Sequence, residues 1–146
     1  VRSADIHLSE LEKENGAIYE KIKEHIKHFE EFDFSWRGLR TEIATWRKAN
    51  QIHHWFVESV QNGKDDMCSY EVTKENLQEL YTSCVNVLLK QKIPHKELPT
   101  RPGPFFGSTY YDEYYFWEID RTKTILENLL NNFNFDTHYM LYCADW

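Results

Sequence analysis

The densest run of side chains able to do chemistry is Trp46-Arg47-Lys48-Ala49-Asn50-Gln51-Ile52-His53-His54-Trp55-Phe56-Val57, in which basic, amide and imidazole groups are interleaved with aromatics. At about 100° per residue, Trp46, Ala49, His53, Phe56 and Val60 share one helical stripe, which turns His53 inward among apolar groups. Such a histidine is either a core residue whose ring nitrogens are satisfied locally or a pocket-lining donor or general base. Arg47, Gln51, His54 and Glu58 fall on the adjoining face, where a solvated surface accounts for them.

A second run, from Gly103 through Phe105, Phe106 and Gly107 to Tyr115, sets a Phe pair between glycines just before a helix start. Glycines so placed describe a tight loop that brings backbone close to something, and a helix N-terminus can hold an anion. Asp112 and Glu113 oppose an anion there, and a loop pinned by aromatic packing explains the same residues. If the two runs meet in space, Trp55, Tyr111 and Tyr114 can wall a cleft in which Arg47, His53 and Asp112 make directional contacts. These six are the candidate ligand- or partner-binding residues. The alternative is that both runs are core.

The remaining candidates are weaker. His25 and His28 stand three apart and could reach one metal, but no third ligand is apparent nearby, so a surface pair is the simpler reading. Cys84 lies on an apolar stripe and reads as a small buried hydrophobe; Asp65 and Asp66 beside Cys68 would raise its thiol pKa and argue against a nucleophile. No phosphate-binding glycine loop, dinucleotide fingerprint, nucleophile elbow, HExxH helix or CxxC pair occurs in the sequence. No catalytic residue, metal or cofactor is assigned.

The elements that must position these residues follow from periodicity. A Ser9/Glu12 capping box opens a helix expected over Ser9 to Glu31, and a second helix is expected from Leu39 to Gln61, closed by Asn62-Gly63. Thr73 caps a third helix with Leu77, Leu80, Tyr81, Cys84, Val87 and Leu88 on one face. Four prolines between Ile93 and Gly107 predict an ordered, docked loop without regular structure. Asp112 caps a fourth helix, Glu113 to Leu130, with Tyr115, Ile119, Thr122, Leu126 and Leu129 inward. Thr137 to Cys143 alternates weakly, as a short strand whose partner the sequence does not identify. The fold class is mostly α, with α+β as the alternative: a compact bundle of about four helices with an ordered Pro-rich loop and a short C-terminal strand, in one globular domain over 1–146.

Composition narrows the function classes. Aromatic residues make up 16% of the 146 residues, which excludes general disorder. The net charge of −7 disfavours a phosphate backbone as partner. Three cysteines without metal-ligand spacing predict reduced thiols in a cytoplasm rather than a disulfide framework. No apolar run approaches the ~20 residues of a membrane span.

Three segments together resemble a family of small uncharacterised proteins encoded mainly by bacteriophages and prophages: WRKANQIHHWFVESVQNGKDD with Cys68, the LPT to FFGST and YDEYYF stretch over Leu98 to Phe116, and the closing Tyr142 to Trp146. The first forty positions look more helical than the family's usual start, and Pro104 departs from its loop, so the resemblance leaves the N-terminal part aside. It implies no catalytic residues. Together with the absence of catalytic motifs and the surplus of aromatic and acidic side chains, it supports the expectation of a phage-encoded accessory protein of the host-cell cytoplasm that acts by binding, either blocking a host defence protein or sequestering a small nucleotide signal, with self-association left open. Two rivals are a small pocket enzyme using His53 as base on a phosphate ester, and a structural or assembly protein.

Overall fold

The computed structural model describes residues 16–17, 19–21 and 42–145. The chain divides into two compact units, Val1–Ile43 and Ala44–Trp146. In the first, Gly16, Ala17 and Tyr19 to Lys21 are helical, within the helix expected over Ser9 to Glu31; its capping box and the His25/His28 pair lie outside the described residues. Everything below concerns the second unit, which is mostly α.

Its described elements run in the order α1 (Asn50–Ser59), β1 (Tyr70–Val72), α2 (Lys74–Leu88), α3 (Pro94–Glu97), α4 (Glu113–Asn132) and β2 (Met140–Tyr142). Helix α1 is shorter than the expected Leu39 to Gln61: residues 42–49 are not helical, and 39–41 lie outside the described residues. Two bonds tie Thr45 and Trp46 to α4, the Trp46 indole N–H donating to Thr122 Oγ1 at 2.9 Å and the Arg121 guanidinium donating to the Thr45 carbonyl at 2.8 Å. Lys48 then takes φ +62° and breaks any continuous helix. Trp46 still packs on the core, but from this strip and not from a helical stripe. At the other end, Asn62 and Gly63 are left-handed as expected, and Gly63 N–H reaches the Val57 carbonyl at 2.8 Å.

Helix α2 begins at Thr73, whose hydroxyl accepts from Asn76 N–H at 3.1 Å while Asn76 Oδ1 accepts from Thr73 N–H at 3.0 Å, a reciprocal capping box. Asp112 caps α4 by accepting from Tyr115 N–H at 3.0 Å. Leu77, Leu80, Cys84 and Val87 of α2 meet Tyr115, Ile119 and Leu126 of α4 and Ala49, Ile52 and Phe56 at α1 in one buried core, with Trp46 and Val60 at its edge. Burial pushes the Cys84 thiol up to about 12, which suits a small apolar filler and not a nucleophile.

The Pro-rich stretch is ordered, and it does hold one turn of regular structure. Pro94 sits at the start of α3, where its missing N–H would be unsatisfied in any case. The C-terminal strand finds its partner in β1, antiparallel, with Tyr70 opposite Tyr142 and Val72 opposite Met140. Two three-residue strands are marginal alone. These persist because Val72 and Met140 are both buried and the Tyr142 ring stacks on Phe56, centroids 3.9 Å apart and 7° from parallel. No helix among the described residues is long and apolar enough to cross a membrane.

Leu80 is fully buried between α2 and α4. Leu80→Ala is expected to cost ~2–5 kcal/mol in a denaturant titration, as large-to-small core changes do; a loss below ~1 kcal/mol would remove α2 from the core.

Candidate functional site

The two chemically dense runs do meet, through the side chains of α1 and the backbone of the segment 98–109. Asn50 is buried and uses its whole carboxamide: Nδ2 donates to the carbonyls of Phe106 at 2.9 Å and Ser108 at 2.8 Å, and Oδ1 accepts from Arg101 N–H at 3.0 Å. One turn further along, His54 Nδ1 lies 3.1 Å from the Pro99 carbonyl, to which it donates. Helix α4 and the residue before its cap hold the same segment from its other end: Tyr115 donates its hydroxyl to the Leu98 carbonyl at 2.8 Å, and Tyr111 accepts from Thr100 N–H at 3.2 Å. Burial raises the Tyr115 pKa, so the phenol stays a donor.

The glycines of this loop are spacing devices. A Cβ on Gly103 would overlap the Phe106 ring, and one on Gly107, at φ +83°, would stand 3.1 Å from Lys48 Cβ and 3.3 Å from its carbonyl oxygen. The expected close approach is therefore to the protein's own Phe106 and Lys48. Phe106 in turn lies edge-on to His53, centroids 5.1 Å apart.

His53 is the hub of a polar chain that joins distant parts of the sequence. Its Nε2 lies 3.1 Å from Asp65 Oδ2 and its Nδ1 2.8 Å from the Tyr142 hydroxyl, while Asp65 Oδ2 also meets the Arg101 guanidinium at 3.4 Å. An ionised carboxylate only accepts, so Nε2 carries a proton; with a neutral ring, Nδ1 then accepts from Tyr142. Burial, followed by the nearby Asp65 charge, raises the Tyr142 pKa, consistent with the hydroxyl donating. The arrangement can orient and hold groups, and both nitrogens that a general base would use are engaged.

The six candidate residues divide accordingly. Arg47 and Tyr114 meet, through the Tyr114 hydroxyl donating to the Arg47 carbonyl at 3.1 Å, and the same hydroxyl lies 3.0 Å from Glu118 Oε1. His53 reaches the loop through Phe106. Asp112 serves as the α4 cap, Tyr111 packs against His95 and Tyr115, and Trp55 packs edge-on to Phe56. The contacts thus form two junctions, Arg47 with Tyr114 and His53 with Phe106. A surface groove of about 470 Å³ on the outer face of α2, lined by Glu75, Gln78, Glu79, Thr82 and Ser83, involves none of the six.

Asp65 and Arg101 lie in irregular segments, Tyr142 at a strand end and Asn50 at a helix start, where no period marks them. Also missed is the outward side of the loop. Phe105 is 84% exposed, Tyr110 76% and Trp117 56%, and the Trp117 ring stacks on Tyr114 with centroids 5.7 Å apart. Phe106 N–H bonds back to the Gly103 carbonyl at 3.3 Å, and Phe105 has φ +66°. Pro104 and Phe105 are therefore the central pair of a turn of type II pattern, whose second central position ordinarily takes glycine. No family model, curated protein or solved structure matches the chain.

Asn50→Ala should leave two carbonyls and an N–H short of partners, at a cost of ~1–3 kcal/mol. Amide exchange should quicken across residues 99–109 while α2 and α4 keep their protection; unchanged exchange in the loop would show that it is rigid without Asn50. Tyr142→Phe keeps the stack on Phe56 and loses one hydrogen bond, for ~0.5–1.5 kcal/mol by denaturation; no loss would mean the His53 bond contributes nothing.

Proposed function

We propose that the chain is a phage-encoded accessory protein that acts by binding, and that it seizes a host protein, in an anti-defence role, through Phe105 and the exposed aromatic residues that follow it up to Trp117. The observation that carries this reading is a large apolar side chain held outward, 84% exposed, at a backbone position that favours glycine. Left-handed φ at a bulky residue costs on the order of 1 kcal/mol, and the ring gains almost no burial in return. Exposed Tyr110, Tyr114 and Trp117 belong to the same stretch, and Tyr and Trp are the usual anchors of protein interfaces. The resemblance to phage and prophage proteins supplies the host setting, and the net charge of −7 supports a protein partner over nucleic acid. The phosphate-ester reading has less support, since His53 has both ring nitrogens engaged.

Phe105→Gly separates the readings. It should hold or raise stability, by up to ~1 kcal/mol, because glycine relieves the turn. It should weaken partner binding by at least ~30-fold, as loss of an aromatic anchor does. The test compares tagged wild type and Phe105→Gly, paired with Trp117→Ala, for what each retains from infected host cells and for melting. Retention of the same partner by both proteins would overturn the proposal.

A further inference from the structure

Cys68 and Cys143 are 75 positions apart, and the fold brings them to the same end of the two-stranded sheet. The observed register sets Tyr70 opposite Tyr142, so its continuation sets Ser69 opposite Cys143 and leaves Cys68 one step along the diagonal. In a continued ladder, residues offset by one point to opposite faces, but this ladder ends at Tyr70: Met67 takes φ +56° and the Cys68 N–H turns back to Asp66 Oδ1 at 3.1 Å, so the alternation does not extend to Cys68. The Cys143 thiol already reaches across, donating to the Met67 carbonyl at 3.6 Å, and that carbonyl carbon is bonded to the Cys68 nitrogen. Both thiols are free and exposed, whereas Cys84 is free and buried.

We propose that Cys68 and Cys143 are a reversible disulfide pair, closed by thiol exchange with a low-molecular-weight disulfide such as oxidised glutathione. The Cys143 thiolate attacks one sulfur of glutathione disulfide, a protein–glutathione bond forms, and glutathione thiolate leaves. The Cys68 thiolate then attacks the Cys143 sulfur and expels the second glutathione. Two cysteine thiols are oxidised, one glutathione disulfide is reduced, and the two protons released to solvent end on the two glutathione thiols.

The bridge has a structural consequence. It ties the loop bearing Asp65 to the strand bearing Tyr142, and these are the two residues that grip His53 from opposite sides. A C-terminal strand anchored by three ladder residues and one aromatic stack becomes covalently clasped. The charge of Asp66 raises the Cys68 pKa, which makes the second attack the slow step.

Reduced full-length protein is incubated in glutathione redox buffers, trapped with an alkylating agent and analysed by intact mass and peptide mapping. The expected product is a monomer lighter by about 2 Da, for the two hydrogens lost on bridging, with Cys68 and Cys143 joined and Cys84 alkylated only after unfolding. Cys68→Ser and Cys143→Ser should each stop at one glutathione adduct, Asp66→Asn should close faster, and the bridged form should melt higher than the reduced one. Stable glutathione adducts on both cysteines of the wild type, no reaction at either, or a covalent dimer through them would overturn the proposal.

Discussion

A segment containing Pro99, Pro102 and Pro104 can satisfy little of its own backbone, because each proline removes a donor and disfavours helix in the residue before it. Its buried carbonyls need donors from elsewhere, and the carboxamide of Asn50 is the central one, with two bonds given and one received. Much of the rest of the unit's architecture serves that amide. Helix α1 starts at Asn50, so the residue sits in its first turn, and Lys48 takes a left-handed φ, so the preceding strip can turn away along α4. Gly107 lets the loop approach Lys48 closely enough for the Phe106 and Ser108 carbonyls to face the same side chain. His54, Tyr111 and Tyr115 extend the same service to Pro99, Thr100 and Leu98.

How much of this could be read in advance depended on whether a feature is local. Thr73 and Asp112 are recognisable as caps because a cap acts within three residues, and the stripe Leu77, Leu80, Cys84, Val87 is legible because a helix repeats. The start of α1 was not legible. Residues 44–49 have the composition of a helix, and what ties Thr45 and Trp46 down outside one is a pair of bonds to Arg121 and Thr122, more than seventy positions away. The strand pairing was hidden for the same reason: three residues give too short an alternation to register, and their stability comes from a stack on Phe56.

The candidate site divides along the same line. His53 is visible as an inward histidine, but its partners Asp65 and Tyr142 lie in an irregular segment and at a strand end, where no period marks them. Gln51 falls on a face that periodicity assigns to solvent, yet it and Asn50 are both buried, and Asn50 gives its hydrogen bonds to backbone. Polar side chains buried in this way cost free energy unless every group is matched. Asn50 and His53 are matched throughout, and that completeness is what makes them positioning groups. Glu118 differs: it is buried, shares one oxygen with the Tyr114 hydroxyl, and keeps the other for the Arg121 guanidinium at 3.5 Å.

The polar interior and the apolar exterior of the loop are two sides of one arrangement. A free peptide bearing Phe105 would sample many turns, and holding it in one would cost about 1–2 kcal/mol per residue ordered, charged against any partner it met. In the folded chain that ordering is done beforehand, by bonds that each contribute about 1 kcal/mol net and by the Phe106 ring packed against Gly103 and His53. The neighbouring phenylalanines thus have opposite tasks. Phe106 fastens the turn to the core, and Phe105 is carried outward at the one turn position where its backbone is strained. A partner with an apolar pocket would bury that ring without having to order the loop, so that ordering cost would not be subtracted from the affinity.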